Sequence, residues 1–162
     1  MERLWAPWRM AYILSGEERS DECIFCVFPA RDQHRDDLVL HVEEHAFVML
    51  NKFPYNNGHL MVIPRAHVAE PGDLEAGEQA EMWALLDRSL RALSAVMSPH
   101  GFNVGMNLGR VAGAGVEGHL HLHVVPRWNG DTNFMPVLAD VRVMPEHVAR
   151  TAEKLRAAWP AE

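Results

Sequence analysis

Apolar residues follow two rhythms along this chain. From 38 to 64 they come in short bursts rich in Val, Leu, Met and Phe, at 38–42, 46–50 and 58–64, each bounded by polar or turn-forming residues. Such bursts predict strands. The first two make a hairpin about the polar Glu43-Glu44 step, and Pro54 with Asn56-Asn57-Gly58 turns the chain into the third. From 73 to about 98 the spacing changes to three and four: Met82, Leu85, Leu86, Leu90, Leu93 and Val96 or Met97 share one stripe, the core side of a long helix. Asp73 is placed to cap that helix, and Pro99 and Gly101 to end it. Residues 102–108 and 118–126 return to strand patterning. A second helix spans 145–159, with Pro145 in its first turn and a sparse apolar face of Val148, Leu155 and Trp159. Residues 23–28 form a short apolar element broken by Pro29, and 31–37 a charged loop. Hairpins in series with one long crossover helix predict an α+β domain on an antiparallel sheet of about five strands.

The last predicted strand carries the chemistry. In Gly118-His119-Leu120-His121-Leu122-His123-Val124-Val125-Pro126, alternation puts His119, His121 and His123 on one face and Leu120, Leu122 and Val124 on the other. Neighbouring histidines on that face lie roughly 6–7 Å apart along the strand. Three imidazoles so close cannot all hold a proton at neutral pH, so at least one is neutral, the state a nucleophile or metal ligand requires. Upstream, Asn107-Leu108-Gly109-Arg110-Val111-Ala112-Gly113-Ala114-Gly115 is a Gly-rich loop whose backbone N–H groups are suited to line an anion pocket.

Composition narrows the class. A formal charge of −7 argues against a nucleic-acid backbone binder while leaving room for a small polyphosphate in a local pocket. No apolar run approaches the ~20 residues of a membrane span, and Glu2, Arg3 and Arg9 interrupt the start where a signal peptide would carry its apolar region. The expected location is the cytoplasm. There the two cysteines, Cys23 and Cys26, suggest metal binding or a redox pair more than a structural disulfide. Residues 1–22, with Trp5, Trp8, Met10, Tyr12 and Ile13, read as an arm that packs on the domain or on a second subunit.

The run from His119 to Val125 resembles the histidine triad (HIT) motif, three histidines alternating with apolar residues. The resemblance extends over most of the chain, about 23 to 128. The opening residues 1–13 and Gly130-Asp131-Thr132-Asn133-Phe134-Met135-Pro136 are similar to the bacterial, diadenosine tetraphosphate phosphorylase-like branch of that family. It implies a HIT-like fold over 23–136, preceded by the arm and followed by a 137–162 extension, and a homodimer with one continuous sheet.

The resemblance also implies roles. His121 matches the nucleophile that attacks an α-phosphorus to form a nucleotidyl-histidine, with His123, His59 and His119 completing the catalytic set. Asn51 matches a ribose contact, and Ile24 and Phe25 match residues flanking the base; on patterning alone those two are core. Asn107, Gly109, Gly113 and Gly115 belong to the phosphate-binding stretch. Cys23 and Cys26 supply half of a tetrahedral zinc site, which similarity to zinc-containing HIT proteins completes with His67 and His119. Four protein ligands make such a zinc structural. Many relatives carry Gln-Ser or Gln-Thr where this chain has Gly115-Val116, so a donor to the leaving group must come from elsewhere: Arg110, Glu117 or the 131–133 loop. The expected partners are adenine dinucleotides and phosphate, with neither nucleic acid nor membrane. Water as acceptor, a phosphoramidase, a nucleotide-binding module without turnover, and a catalytic metal shared by His119 and His121 are the alternatives.

Overall fold

The computed structural model describes residues 22–30, 38–131 and 144–160. The aromatic arm, the charged loop at 31–37 and the 132–136 stretch fall outside them. A single helical turn, α1 (Ile24–Val27), runs into a 3-10 turn at Phe28–Ala30 that contains Pro29. The hairpin follows as β1 (Val39–Val42) and β2 (Ala46–Leu50), then β3 (Leu60–Pro64). The long helix α2 (Ala76–Met97) crosses over to β4 (Gly101–Met106), and β5 (Leu122–Arg127) and α3 (Val148–Ala157) complete the order. The sheet runs β1-β2-β3-β5-β4, antiparallel at every pairing. β5 therefore inserts between β3 and β4, placing the last histidine of the triad on an interior strand beside the β4 edge. This is the expected α+β architecture. No helix among the described residues is long and apolar enough to cross a membrane.

Strand alternation divides the core in two. Leu40, Val48, Leu50, Leu60, Val62, Leu122 and Val124 face α2 and α3, where they meet Leu85, Leu93 and Leu155. Val39, Phe47, Met49, Met61 and Ile63 face the other way, and Phe25 of α1 closes over them. An irregularity in β1 between Val39 and His41 pairs His41 with Val48, on the helix side. His41 there stacks on Trp159, ring centroids 5.2 Å apart and 20° from parallel.

Three expected boundaries move, each for a local reason. Asp73 does not cap α2. It closes a 3-10 turn, Pro71–Asp73, and the cap is Glu75, in a capping box with Glu78 that satisfies donors at both ends of the first turn. Pro145 lies ahead of α3, which starts after His147, whose Nδ1 accepts the Ala149 N–H at 3.3 Å. Residues 118–121 precede β5 instead of belonging to it. The Leu120 N–H is taken by the Val68 carbonyl at 2.7 Å, not by the β3 ladder. Leu120 still joins the helix-side core, so the alternation of faces survives the loss of strand pairing.

Gly58, in the turn before β3, has φ +77°, and a Cβ there would sit 2.7 Å from Met97 Sδ and 3.2 Å from Pro126 Cγ. Backbone conformation and space both demand glycine. Gly58→Ala is expected to destabilise the protein by roughly 2–4 kcal/mol, read as a lower denaturation midpoint in urea with an unchanged slope.

Candidate functional site

His59, His119, His121 and His123 are all buried, at 0, 1, 5 and 9% exposure. The strand pattern accounts for three of them; the fourth comes from the end of the turn ahead of β3. Ring centroids lie 5.1 Å apart for His59–His123 and 4.8 Å for His121–His123. Burial strips these rings of the water a charged imidazolium needs. It pushes His59 down to about 3, with the nearby His123 and His121 adding to the effect. Burial also lowers His119 and His121, against the opposing pull of the carbonyls they bond.

Backbone groups then decide where each ring keeps its proton. The Tyr55 N–H donates to His59 Nδ1 at 3.0 Å, so neutral His59 carries its proton on Nε2 and donates to His123 Nδ1 at 3.0 Å. Accepting at Nδ1, neutral His123 holds its own proton on Nε2, 3.4 Å from Asn107 Nδ2, so the Asn107 amide has to turn its oxygen to that side to accept it. His121 donates from Nδ1 to the His119 carbonyl at 2.8 Å, leaving a lone pair on Nε2. His119 donates from Nε2 to the Pro64 carbonyl at 2.8 Å, leaving its lone pair on Nδ1. Two neighbouring rings thus present opposite faces of acid–base chemistry: an Nε2 lone pair on His121 and an Nε2–H on His123.

The His119 lone pair looks toward sulfur. Its Nδ1 lies 3.3 Å from Cys23 Sγ and 3.6 Å from Cys26 Sγ, and Cys26 Sγ lies 3.2 Å from His67 Nδ1. All four donor atoms fall within 4.8 Å of one another. A tetrahedral zinc, about 2.3 Å from sulfur and 2.0–2.1 Å from nitrogen, needs N···S edges of about 3.5 Å. The donor set is compatible with a zinc site. Burial, followed by the adjacent Cys23 thiol, pushes the Cys26 thiol up, and a bound cation would draw off that proton. His121 is not part of the cluster; its Nδ1 is committed to a carbonyl. The geometry therefore does not gather His119 and His121 onto one shared metal.

Phe25, between the two cysteines, puts its ring 5.4 Å from that of His119 and 5.3 Å from that of His121. It also lines a cleft of about 240 Å³ that opens on His121 and His123. Ile24, Asn51, Gly113 and Gly115 reach the same cleft. Asn107 and Gly109 are not among its lining residues. Asn107 instead meets His123, and Gly109 closes the loop through its carbonyl, which accepts the Ala114 N–H at 3.4 Å. The Asn51 side-chain oxygen is engaged by the Phe53 N–H at 2.9 Å. Sequence reasoning missed Phe28, Lys52, Phe53 and Tyr55, which line the cleft. Tyr55 stacks on His59 at 4.8 Å and 18°. Two aromatics flanking Pro54, in a segment otherwise made for a turn, were the available signal.

The family model for the HIT domain matches residues 32–130. Over 166 aligned residues the chain is 38% identical to AP-4-A phosphorylase of Mycobacterium tuberculosis, covering 98% of this chain and 85% of that protein. Among solved structures, a Zn-bound histidine triad family protein from Mycobacterium smegmatis matches with a TM-score of 0.67 and 31% identity, over 86% of this chain and 94% of that one. A HIT family member from Bacillus subtilis matches with a TM-score of 0.59 and 27% identity, over 67% and 75%. The chain belongs to the HIT family and is an enzyme of it.

The purified protein is expected to hold about one zinc per chain by elemental analysis. His67→Ala, which alters an exposed side chain, should reduce that content strongly and lower Tm. A second expectation concerns acid. The unfolded chain protonates His59 near 6.5, the folded chain only near 3, so stability contributed by neutral His59 is complete above about 6.5 and drains away as pH falls toward 3. Denaturation curves from pH 6 to 4 should show His59→Gln losing up to ~1.4 kcal/mol per pH unit of the wild-type slope.

Proposed function

We propose that this enzyme cleaves dinucleoside polyphosphates, diadenosine tetraphosphate foremost, at an α-phosphorus through a nucleotidyl-His121 intermediate that inorganic phosphate resolves. The observation that carries the reading is the hydrogen bond from His121 Nδ1 to the His119 carbonyl, 2.8 Å, which turns the Nε2 lone pair into the nucleophile. The near full-length similarity to AP-4-A phosphorylase supports the substrate and acceptor.

In the first step His121 Nε2 forms a bond to the α-phosphorus and the bridging P–O bond breaks, releasing ATP from diadenosine tetraphosphate. Negative charge grows on the departing oxygen. His123 Nε2–H is the donor poised beside His121, and His59 holds it in that tautomer from behind. This answers the absence of a Gln-Ser pair before the triad: a ring on the triad itself supplies a proton. Gly115 lines the cleft and its N–H is the loop donor proposed for the non-bridging oxygens, since the Gly113 and Ala114 N–H groups are taken by the Arg110 and Gly109 carbonyls. Ile24, Phe25 and Phe53 offer apolar surface to a base; Ile24 and Phe53 are 43% and 45% exposed at the cleft. In the second step a phosphate oxygen attacks the same phosphorus, the P–N bond breaks, and ADP leaves with His121 restored.

Cys23, Cys26, His67 and His119 would hold a zinc ion whose chemistry is structural, tying α1 to the triad. A homodimer fits the same reading: β4 is an edge strand among the described residues, and Val104 and nearby Leu108 are 43% and 46% exposed.

Incubation with diadenosine tetraphosphate, with and without phosphate, and separation of products by ion exchange tests the proposal. ADP plus ATP appearing only with phosphate is the expected outcome. AMP plus ATP without it would make the enzyme a hydrolase, and no turnover would overturn the substrate. His121→Asn should lower kcat by about 10³-fold or more while the protein still binds nucleotide.

A further inference from the structure

We propose that Cys23 and Cys26 form a reversible disulfide in response to hydroperoxides, and that this bond dismantles the four-donor cluster which anchors His119. The inference rests on the zinc reading of that cluster and is separate from the choice of substrate.

The geometry makes the pair competent. The Cys26 N–H bonds to the Cys23 carbonyl at 3.0 Å, closing a single turn between them. Such a turn holds its end Cα atoms within about 7 Å, and disulfides accept Cα separations of roughly 4.4–6.8 Å. The two sulfurs lie within 4.8 Å of each other. Cys26 is exposed and Cys23 half-buried, which suits one as the sulfur that meets the oxidant from solvent and the other as its resolving partner. Zinc binding holds both as thiolates, the nucleophilic form.

The chemistry balances with a hydroperoxide as oxidant. The Cys26 thiolate attacks the distal peroxide oxygen, the O–O bond breaks, an alcohol or water leaves, and a sulfenic acid remains. Cys23 sulfur then attacks the Cys26 sulfur and displaces hydroxide, which leaves as water. Two electrons pass from the two sulfurs to the peroxide, and two thiolate ligands become a disulfide that no longer binds the cation.

Loss of those ligands leaves His119 Nδ1 without its sulfur partners, and His119 is the residue whose carbonyl receives the His121 proton. Phe25, between the cysteines, touches both rings. Oxidation at α1 thus reaches the triad within one residue's contacts.

The zinc-loaded full chain, treated with stoichiometric hydrogen peroxide, provides the test. Intact mass, zinc captured by a chromogenic chelator, and Tm are followed together. The expected result is a mass loss of about 2 Da, release of the bound zinc, and a Tm lower by about 5 °C or more, all reversed by dithiothreitol and added zinc. Cys23→Ser should instead gain about 16 Da or progress to higher oxides, with no loss of 2 Da. Two results overturn the proposal: oxygen addition without a disulfide in the unaltered chain, or a disulfide that forms while zinc and Tm stay unchanged. Zinc content is measured before peroxide is added. A chain that holds none refutes the zinc reading on its own, and the proposal falls with it.

Discussion

His119 bears on everything around it. Its side chain donates to the Pro64 carbonyl at the end of β3, its other ring nitrogen faces two sulfurs, and its main-chain carbonyl receives the His121 proton. The first bond ties the segment before β5 to the sheet at a point where strand pairing has not yet begun. The second ties it to α1. The third settles which nitrogen of His121 is left with a lone pair. One buried residue therefore connects packing, the metal-compatible cluster and the tautomer of its neighbour, so a disturbance at any of the three is felt at the other two.

Keeping four imidazoles in a dry site is costly unless each remains neutral and each N–H finds an acceptor. Two short chains, with the His119 bond to the Pro64 carbonyl, give the N–H groups of His59, His121 and His119 their acceptors, and the His123 Nε2–H is directed at the Asn107 amide. One runs from the Tyr55 N–H through His59 to His123, the other from His121 through the His119 carbonyl. Because each chain has a backbone group at one end, ordinary side-chain motion does not scramble the proton positions. In the proposed reaction this matters more than raw basicity: the nucleophile and the proton donor are distinguished by hydrogen bonding, not by a large difference between the residues themselves.

Support for the His59 chain comes from a distance. The Thr151 hydroxyl on α3 donates to Asn57 Oδ1 at 3.3 Å, in the turn that precedes His59. Arg156, also on α3, donates to the Val39 carbonyl on β1 at 2.7 Å. Arg88 of α2 pairs with Glu43 at 2.7 Å and donates to the Pro160 carbonyl at 3.0 Å. The C-terminal helix is thus fastened both to the edge of the sheet and to the turn behind the active-site candidate, which explains why a helix with so narrow an apolar face has a fixed seat.

The alternating histidines and leucines, the Met and Leu stripe of α2 and the paired hairpin bursts could be read directly, because period two and period 3.6 are properties of the local backbone. They were enough for the α+β sheet and for the two faces around the triad, and the alternation held even at 118–121, where strand pairing fails. Resemblance to a family brought Cys23, Cys26, His67 and His119 together on paper, and the fold places them within 4.8 Å. The tautomers lay beyond any such reading. They depend on the carbonyls of Pro64 and His119 and on the N–H of Tyr55, backbone groups that every residue carries and no pattern singles out. The inclusion of Phe28, Lys52 and Tyr55 in the cleft was likewise a matter of how α1 and the 51–55 segment close against the sheet. Sequence by itself determined which side chains were available and which face each would occupy. Only the tertiary structure decided which lone pairs and protons meet, because hydrogen bonding acts over about 3 Å and its partners among the four histidines stand as few as 2 and as many as 64 residues apart in the chain.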